Sequence, residues 1–312
     1  MYGMGRLSLF GGFPMSFDNR WFAKRFSAVP ANIMGMGHMF ASVSTISGVN
    51  GIVVHLSHSM HVFEIAFFRQ AIGFVFMSAI FLRGGLRPLI TRRFGLHVLR
   101  SIFNVIAMLA FFYGLTLEPL AKVVSLSFTA PLFATVGAVL LLREKMTRHR
   151  WIALGIGVIG ALIILRPGIQ AVSLGALLVL LSNAVWALAL VVIKVLSRTE
   201  TSVTIALYAT LLQTPVALIF ALFFWTTPNF EQLLWLTLVG IFGTVAQICL
   251  GEAFRYADAT LVMPIDFAKL LWASLIGYVF FDQIPDIWIW PGAFVVFIAV
   301  FYNAYKERAS TP

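Results

Sequence analysis

Three charged residues inside long apolar stretches carry the strongest chemical signal in this sequence. Arg69 lies within one such stretch, and Asp266 and Lys269 lie three positions apart in another. An arginine keeps its proton, so Arg69 requires a carboxylate, several carbonyl oxygens or an anionic ligand group. Asp266 and Lys269 share one helix face, and a carboxylate that a proton can neutralise suits proton-coupled chemistry. The structural alternatives are an arginine held by backbone carbonyls and an ion pair that joins two helices.

Uncharged polar residues recur at helical spacing in the other apolar stretches. Asn104 follows Arg100 by one turn, and Ser42 belongs to a stripe with His38 and Thr45. Such residues avoid lipid, so they either line a cavity or hydrogen-bond one helix to another. The predicted cavity residues are Arg69, Asn104, Asn183, Trp186, Gln247, Asp266, Lys269, Ser42 and Thr129.

Two further motifs have ordinary explanations. His55, His58 and His61 recur every three residues, but apart from Glu64 they lack the cysteine or carboxylate neighbours of a zinc site. A histidine-rich loop is therefore expected. The glycines within residues 155–160 have no phosphate-loop context and predict close packing of two helices. The sequence thus predicts neither a metal nor a cofactor.

The composition requires these residues to be positioned by membrane helices. Of 312 residues, 60% are hydrophobic and 11% are charged, and the mean hydropathy is +0.94. A soluble protein of this length needs far more polar surface. The apolar runs reach the roughly 20 residues that a helix needs to cross lipid, and they lack the alternation of barrel strands. The single cysteine, Cys249, excludes a disulfide scaffold. We therefore expect an all-α integral membrane protein.

The apolar runs divide into ten predicted transmembrane segments joined by short loops. They cover residues 33–56, 62–82, 96–117, 120–142, 151–165, 174–196, 203–225, 233–254, 260–281 and 288–305. With the N-terminus inside, the inner loops and tails hold seventeen lysines and arginines, and the outer loops hold only Lys122 and Arg166. This asymmetry predicts that both termini are cytoplasmic. Residues 1–30 then form a cytoplasmic tail, and Arg100 is expected to anchor its helix at the inner surface.

The chain also contains an internal repeat. Glu144 follows Leu-Leu-Arg and precedes a helix near Trp151, whereas Asp282 follows Phe-Phe and precedes a helix near Trp288. Aligning the two acids also places Ala121 on Ala259. This alignment predicts two five-helix halves, 31–168 and 169–308. Because five is odd, the second half must be inverted in the membrane, as in many secondary transporters.

Several motifs follow one another in a fixed order along the chain. They are Phe112-Tyr-Gly-Leu-Thr-Leu-Glu-Pro-Leu-Ala121, Ser127-Phe-Thr-Ala-Pro-Leu-Phe133, Leu141-Leu-Arg-Glu144, Gly155-Ile-Gly-Val-Ile-Gly160, Leu165-Arg-Pro-Gly168 and Phe254-Arg-Tyr-Ala-Asp-Ala-Thr260. Across residues 31–308 the sequence resembles the EamA branch of the drug/metabolite transporter superfamily. Within it, His61-Val-Phe-Glu64 and His97-Val-Leu-Arg100 are similar to the subgroup with S-adenosylmethionine uptake proteins, and riboflavin transporters are similar too. The resemblance implies two inverted EamA repeats, a central cavity and alternating access.

The predicted function is secondary active transport of a small metabolite across a bacterial inner membrane, with S-adenosylmethionine, riboflavin or an amino acid as candidates. The alternative is a membrane-embedded enzyme acting on lipid or isoprenoid substrates, although no loop contains a clustered acid–base or metal site. The chain has no phosphate-binding loop for ATP-driven transport. Expected partners are a small-molecule substrate and membrane lipid. The +10 net charge is spread over loops, so no nucleic acid is expected, and the protein is predicted to be a monomer or homodimer.

Overall fold

The computed structural model describes residues 30–81, 91, 93–142, 148–166, 172–196, 199–200, 202–257 and 265–310. The predicted tail before residue 30, most of the arginines at 83–93, residues 143–147 and the motif at 258–264 lie outside this description. Regular structure within the described ranges is entirely helical, which confirms the predicted all-α class.

Eleven helices follow one another in the described part of the chain. They are α1 Ala31–Ser57, α2 Val62–Phe81, α3 Phe94–Leu117, α4 Leu120–Ser127, α5 Ala130–Leu142, α6 Arg148–Leu165, α7 Leu174–Leu196, α8 Ser202–Leu222, α9 Phe230–Tyr256, α10 Ala268–Phe281 and α11 Ile289–Ser310. Five stretches are long and apolar enough to cross a membrane: Ala31–Ser57, Phe94–Leu117, Leu120–Leu141, Leu174–Ile193 and Phe230–Ala253. The shorter apolar helices are Trp151–Leu165, Leu207–Leu222, Ala268–Phe281 and Ile289–Tyr302.

The predicted fourth segment is interrupted, which the hydropathy pattern did not indicate. Phe128 and Thr129 form a turn between α4 and α5, and Pro131 lies in the first turn of α5, where its missing N–H is tolerated. A similar turn at Phe267 precedes α10 in the second half. The rings of Phe128 and Phe267 stack with their centroids 4.7 Å apart. The two interruptions are therefore in direct contact.

The two halves of the chain form matching contacts. Ser42 on α1 donates a hydrogen bond to the carbonyl oxygen of Ala246 on α9 at 2.8 Å. Ser182 on α7 donates to the carbonyl oxygen of Ala107 on α3 at 2.7 Å. Ser42 in the first half corresponds to Ser182 in the second, and Ala107 corresponds to Ala246. Both pairs are separated along the chain by almost the same number of residues as Glu144 and Asp282, the two acids of the sequence repeat. The helix pairs α1–α9 and α3–α7 thus correspond, as expected for a repeated unit.

The loops after α1, α3, α6, α8 and α10 meet at one end of the bundle, here called the Glu64 end. The contacts are Ser59–Gln232, Glu64–Thr226, Leu120–Gln283, Ser173–Glu118 and Arg166–Asp286. At the opposite end, called the Glu200 end, Glu200 accepts from the Thr91 hydroxyl and Arg100 donates to the carbonyl oxygen of Ile205. Consecutive membrane segments therefore alternate in direction.

Helices α6 and α11 approach each other closely at two glycines. A Cβ on Gly160 would lie 2.8 Å from the backbone nitrogen of Val296 and 2.9 Å from the carbonyl oxygen of Gly292. Gly157 on the same helix faces Leu132 of α5. The close packing predicted for the glycines of this segment is confirmed at these positions, whereas a Cβ on Gly155 would meet no other part of the described structure within 4 Å.

We expect Gly160→Ala to destabilise the protein by about 1–3 kcal/mol, because its methyl group overlaps backbone atoms that only a shift of α11 can clear. Gly155→Ala is the matched control on the same helix and is expected to be neutral or stabilising, since alanine favours helix. Apparent melting temperatures of both variants in detergent provide the measurement. Equal melting temperatures for the two variants would show that the α6–α11 contact is loose.

Candidate functional site

Arg69 projects from α2 into the region between α3 and α9. Its Nη1 donates to the Sδ of Met108 at 3.2 Å, and its guanidinium carbon lies 5.8 Å from the ring centroid of Phe112. Gly243 on α9 leaves room for this group, because a Cβ there would lie 3.0 Å from Arg69 Nε. That Nε is buried and has no hydrogen-bond partner. A thioether and an aromatic ring are weak partners for a full positive charge.

The carboxylates of the described residues do not pair with Arg69. Glu64, five positions earlier, accepts hydrogen bonds from the backbone N–H and the hydroxyl of Thr226 at 2.6 and 2.9 Å. Five positions place Glu64 and Arg69 about 140° apart around α2, a poor spacing for a same-face pair. The ion pairs between described residues are Lys122–Glu118, Arg166–Asp286 and Lys269–Asp266. Among the described residues, no carboxylate therefore neutralises the charge of Arg69.

Asn104 lies on α3 near the residues of that helix that contact Arg69. It lies one turn before Met108 on α3 and about 160° around the helix from the exposed residues Ile102 and Ile106. Asn104 is half-buried on the inward side. On α9, Gln247 is exposed and lies one turn beyond Gly243, on the same helix face. The structure thus places Arg69 between α3 and α9, and helical spacing puts Asn104 and Gln247 one turn from its contacts on those helices.

Asn183 and Thr129 lie together at the interruption between α4 and α5. Asn183 Nδ2 donates to the carbonyl oxygen of Leu126 at 2.9 Å and to Thr129 Oγ1 at 3.0 Å, and Thr129 Oγ1 donates to Leu126 at 2.7 Å. Both polar residues are buried. Ser42 is likewise buried in its bond to α9. These bonds hold helices together, and a cavity-lining role for the three residues stays a prediction.

Asp266 and Lys269 form the ion pair that their spacing predicts, beside the turn at Phe267. Their side chains are 27% and 31% exposed. Leu271 and Tyr278, which are 60% and 61% exposed, lie about 160° and 180° around α10 from Lys269. Lys269 therefore lies on the side of α10 opposite Leu271 and Tyr278, whose exposed side chains are expected to contact lipid. A cavity-lining role for this pair stays a prediction.

The two tryptophans within the predicted segments have different surroundings. Trp186 is exposed on α7, about 140° around the helix from the exposed Leu181. Trp272 packs against Phe40 of α1 at a centroid distance of 6.4 Å and belongs to an apolar cluster with Met39. Trp186 is thus exposed in this conformation, whereas Trp272 packs between helices.

The histidines near the Glu64 end pack on aromatic rings. His55 contacts Trp235 edge-on at 5.6 Å, and His61 stacks on Phe224 at 3.9 Å. Burial lowers the pKa of the His61 imidazole from its ordinary value, and the Glu64 carboxylate partly offsets that by raising it. The described residues contain no group of three His, Cys, Asp or Glu side chains arranged for a metal ion.

Four residues that make contacts between helices or loops were not identified from the sequence. Thr226 binds the buried Glu64, and Gln70 on α2 donates to the side-chain carbonyl of Gln213 on α8. Neither pair has a local signature, because its members are far apart along the chain and lie on different helices or loops. Gly243 had a usable signal, since a glycine in an apolar helix often marks a close approach.

Comparison with known proteins places the chain in a family. The EamA-like transporter family matches residues 34–166 and 173–305. The chain is 35% identical to the riboflavin transporter of Vibrio cholerae, covering 75% of this chain and 79% of the relative. It is 34% identical to the riboflavin transporter of Brucella anthropi, with 79% and 89% covered. The S-adenosylmethionine uptake transporter of Rickettsia prowazekii is 28% identical, with 85% and 90% covered.

A solved structure shows the same fold. One crystal structure matches 90% of this chain and 99% of its own chain with a TM-score of 0.60, at 15% sequence identity. The family match covers both halves of the chain, and the two riboflavin transporters match most of its length. The chain therefore belongs to the EamA-like transporter family and is a membrane transporter, not an enzyme.

Proposed function

We propose that this protein is a secondary active transporter that carries a small heteroaromatic metabolite through a central cavity by alternating access. The observation that supports it best is the placement of Arg69 against Met108 of α3 and Gly243 of α9, with Asn104 and Gln247 one helical turn from those two contacts. Polar residues that face the interior of a membrane bundle are expensive unless they serve a ligand or a path for water. The relatives are named for riboflavin and S-adenosylmethionine, which both contain a nitrogen-rich aromatic ring system.

The proposed topology has ten membrane segments, with α4 and α5 counted as one segment and every other helix as one. Residues 1–30 form a tail, and 31–168 and 169–308 form two inverted repeats. The lysine and arginine count supports a cytoplasmic Glu200 end and an outward-facing Glu64 end in the bacterial inner membrane. The matching Ser42–Ala246 and Ser182–Ala107 bonds support the repeat.

The proposed transport path runs past the stacked interruptions at Phe128 and Phe267. Discontinuous helices at the repeat interface are where secondary transporters commonly bind their substrates. Asp266 and Lys269 adjoin the second interruption. Asn104, Trp186, Gln247 and Lys269 are half-buried or exposed in this conformation, so we assign them to the path together with Arg69. Ser42, Thr129 and Asn183 adjoin it as helix-joining residues.

Single cysteines at Asn104, Gln247 and Lys269, in a Cys249→Ser background, test this path. A membrane-impermeant thiol reagent applied to right-side-out and inverted vesicles is expected to label each position from both sides, to extents that substrate changes. Leu271→Cys, on the exposed apolar face of α10, is the control and should stay unlabelled by a charged reagent in lipid. If the three test positions stay unreactive from both sides, no central aqueous path exists and alternating access must be abandoned.

A further inference from the structure

We infer that Arg69 forms a subsite for an oxyanion of the substrate, either a carboxylate or a phosphate. The inference rests on the proposed transport function and adds the charge of the group that the cavity receives. The guanidinium has five N–H donors, yet its one hydrogen bond in the described structure goes to the thioether of Met108. An oxyanion offers two strong acceptors in the planar arrangement that a guanidinium matches.

Four other cations of the described residues bind oxygen. Lys122, Arg166 and Lys269 have carboxylate partners, and Arg100 donates to the carbonyl oxygen of Ile205 at 2.6 Å. Arg69 differs from all four. An un-neutralised charge away from water is costly, so binding an oxyanion there recovers stabilisation that the protein alone does not provide.

The surroundings of Arg69 fix its position without using up its donors. Gly243 brings the backbone of α9 against the guanidinium, and a Cβ at this position would lie 3.0 Å from Nε and 3.6 Å from Nη2. Phe112 lies on the α3 side, with its ring centroid 5.8 Å from the guanidinium carbon. Asn104 lies one turn from Met108 on α3, and Gln247 lies one turn from Gly243 on α9. Both offer neutral donors and acceptors for the uncharged part of a substrate.

Two matched ligand pairs test the inference on the purified full-length protein. Riboflavin 5′-phosphate differs from riboflavin by a phosphate, and S-adenosylmethionine differs from its decarboxylated form by a carboxylate. In at least one pair, titration calorimetry is expected to show about tenfold or more tighter binding of the anionic member, as for a charge-assisted hydrogen bond. The pair that shows this preference distinguishes a phosphate from a carboxylate as the recognised group.

The preference must also depend on Arg69. Arg69→Met is expected to abolish it, and Arg69→Lys is expected to retain part of it because the charge remains. Gly243→Ala is expected to weaken it by displacing the guanidinium, whereas Gly251→Ala on the same helix, with nothing within 4 Å, should leave it intact. Equal affinities within both pairs, or a preference that survives Arg69→Met, would overturn the assignment.

Absence of binding by all four probes would also overturn the oxyanion assignment. That result would leave the labelling experiment to decide separately on the transport path, so failure of the subsite and failure of the proposed function remain distinguishable. Melting temperatures of the variants without ligand verify that each is folded.

Discussion

Replacement of Glu64 by alanine is expected to lower the free energy of unfolding by about 3–5 kcal/mol, because it removes a buried carboxylate and leaves its donors unpaired. Glu64 is fully buried. It accepts hydrogen bonds from the N–H and hydroxyl of Thr226 at 2.6 and 2.9 Å, and from the N–H of His61 at 3.3 Å. Equilibrium unfolding in mixed detergent micelles provides the measurement.

Two variants separate this effect from a general effect of losing an acid at the same end of the bundle. Glu231→Ala removes an exposed glutamate from the first turn of α9 and is expected to change stability by no more than about 0.5 kcal/mol. Thr226→Val removes only the hydroxyl donor and is expected to cost about 1 kcal/mol. A Glu64→Ala protein as stable as Glu231→Ala would contradict the buried hydrogen bonds.

Asp266→Asn is expected to lower stability by about 2–3 kcal/mol, less than for a fully buried pair because the side chains are 27% and 31% exposed. The reason is that the Lys269 ammonium loses its carboxylate on the inward side of α10. The double change Asp266→Asn with Lys269→Met is expected to recover most of the loss. A double-mutant cycle of unfolding free energies measures the coupling, and additive effects would show that the two charges act independently.

The prediction of an all-helical membrane protein followed from the apolar runs themselves. A backbone in lipid must satisfy its own hydrogen bonds, so a run of about 20 apolar residues leaves few structures open to it. The Asp266–Lys269 pair was predictable for a similar reason, since contacts three positions apart depend only on helical geometry. The repeat could be recognised because an internal duplication leaves similar short polar segments after Leu142 and Phe281.

The functional role of the polar residues depends on helix rotation and pairing, which one sequence does not contain. Spacing placed Asn104 one turn after Arg100 on α3, but only the packed structure shows Arg69 against Met108 of the same helix, 39 positions away. Asn183 had the pattern of a cavity residue, and only the packed structure shows that its amide donates hydrogen bonds to Leu126 and Thr129.

Glu64 shows most clearly what the sequence determines and what only the tertiary structure decides. By itself the sequence determines that this glutamate lies five positions before Arg69 in an apolar helix, a spacing that does not put both side chains on one face. The tertiary structure decided that its partner is Thr226, 162 positions away, and left the arginine without a carboxylate among the described residues. Local geometry follows from backbone hydrogen bonding, whereas partners between distant helices follow from side-chain packing across the whole bundle.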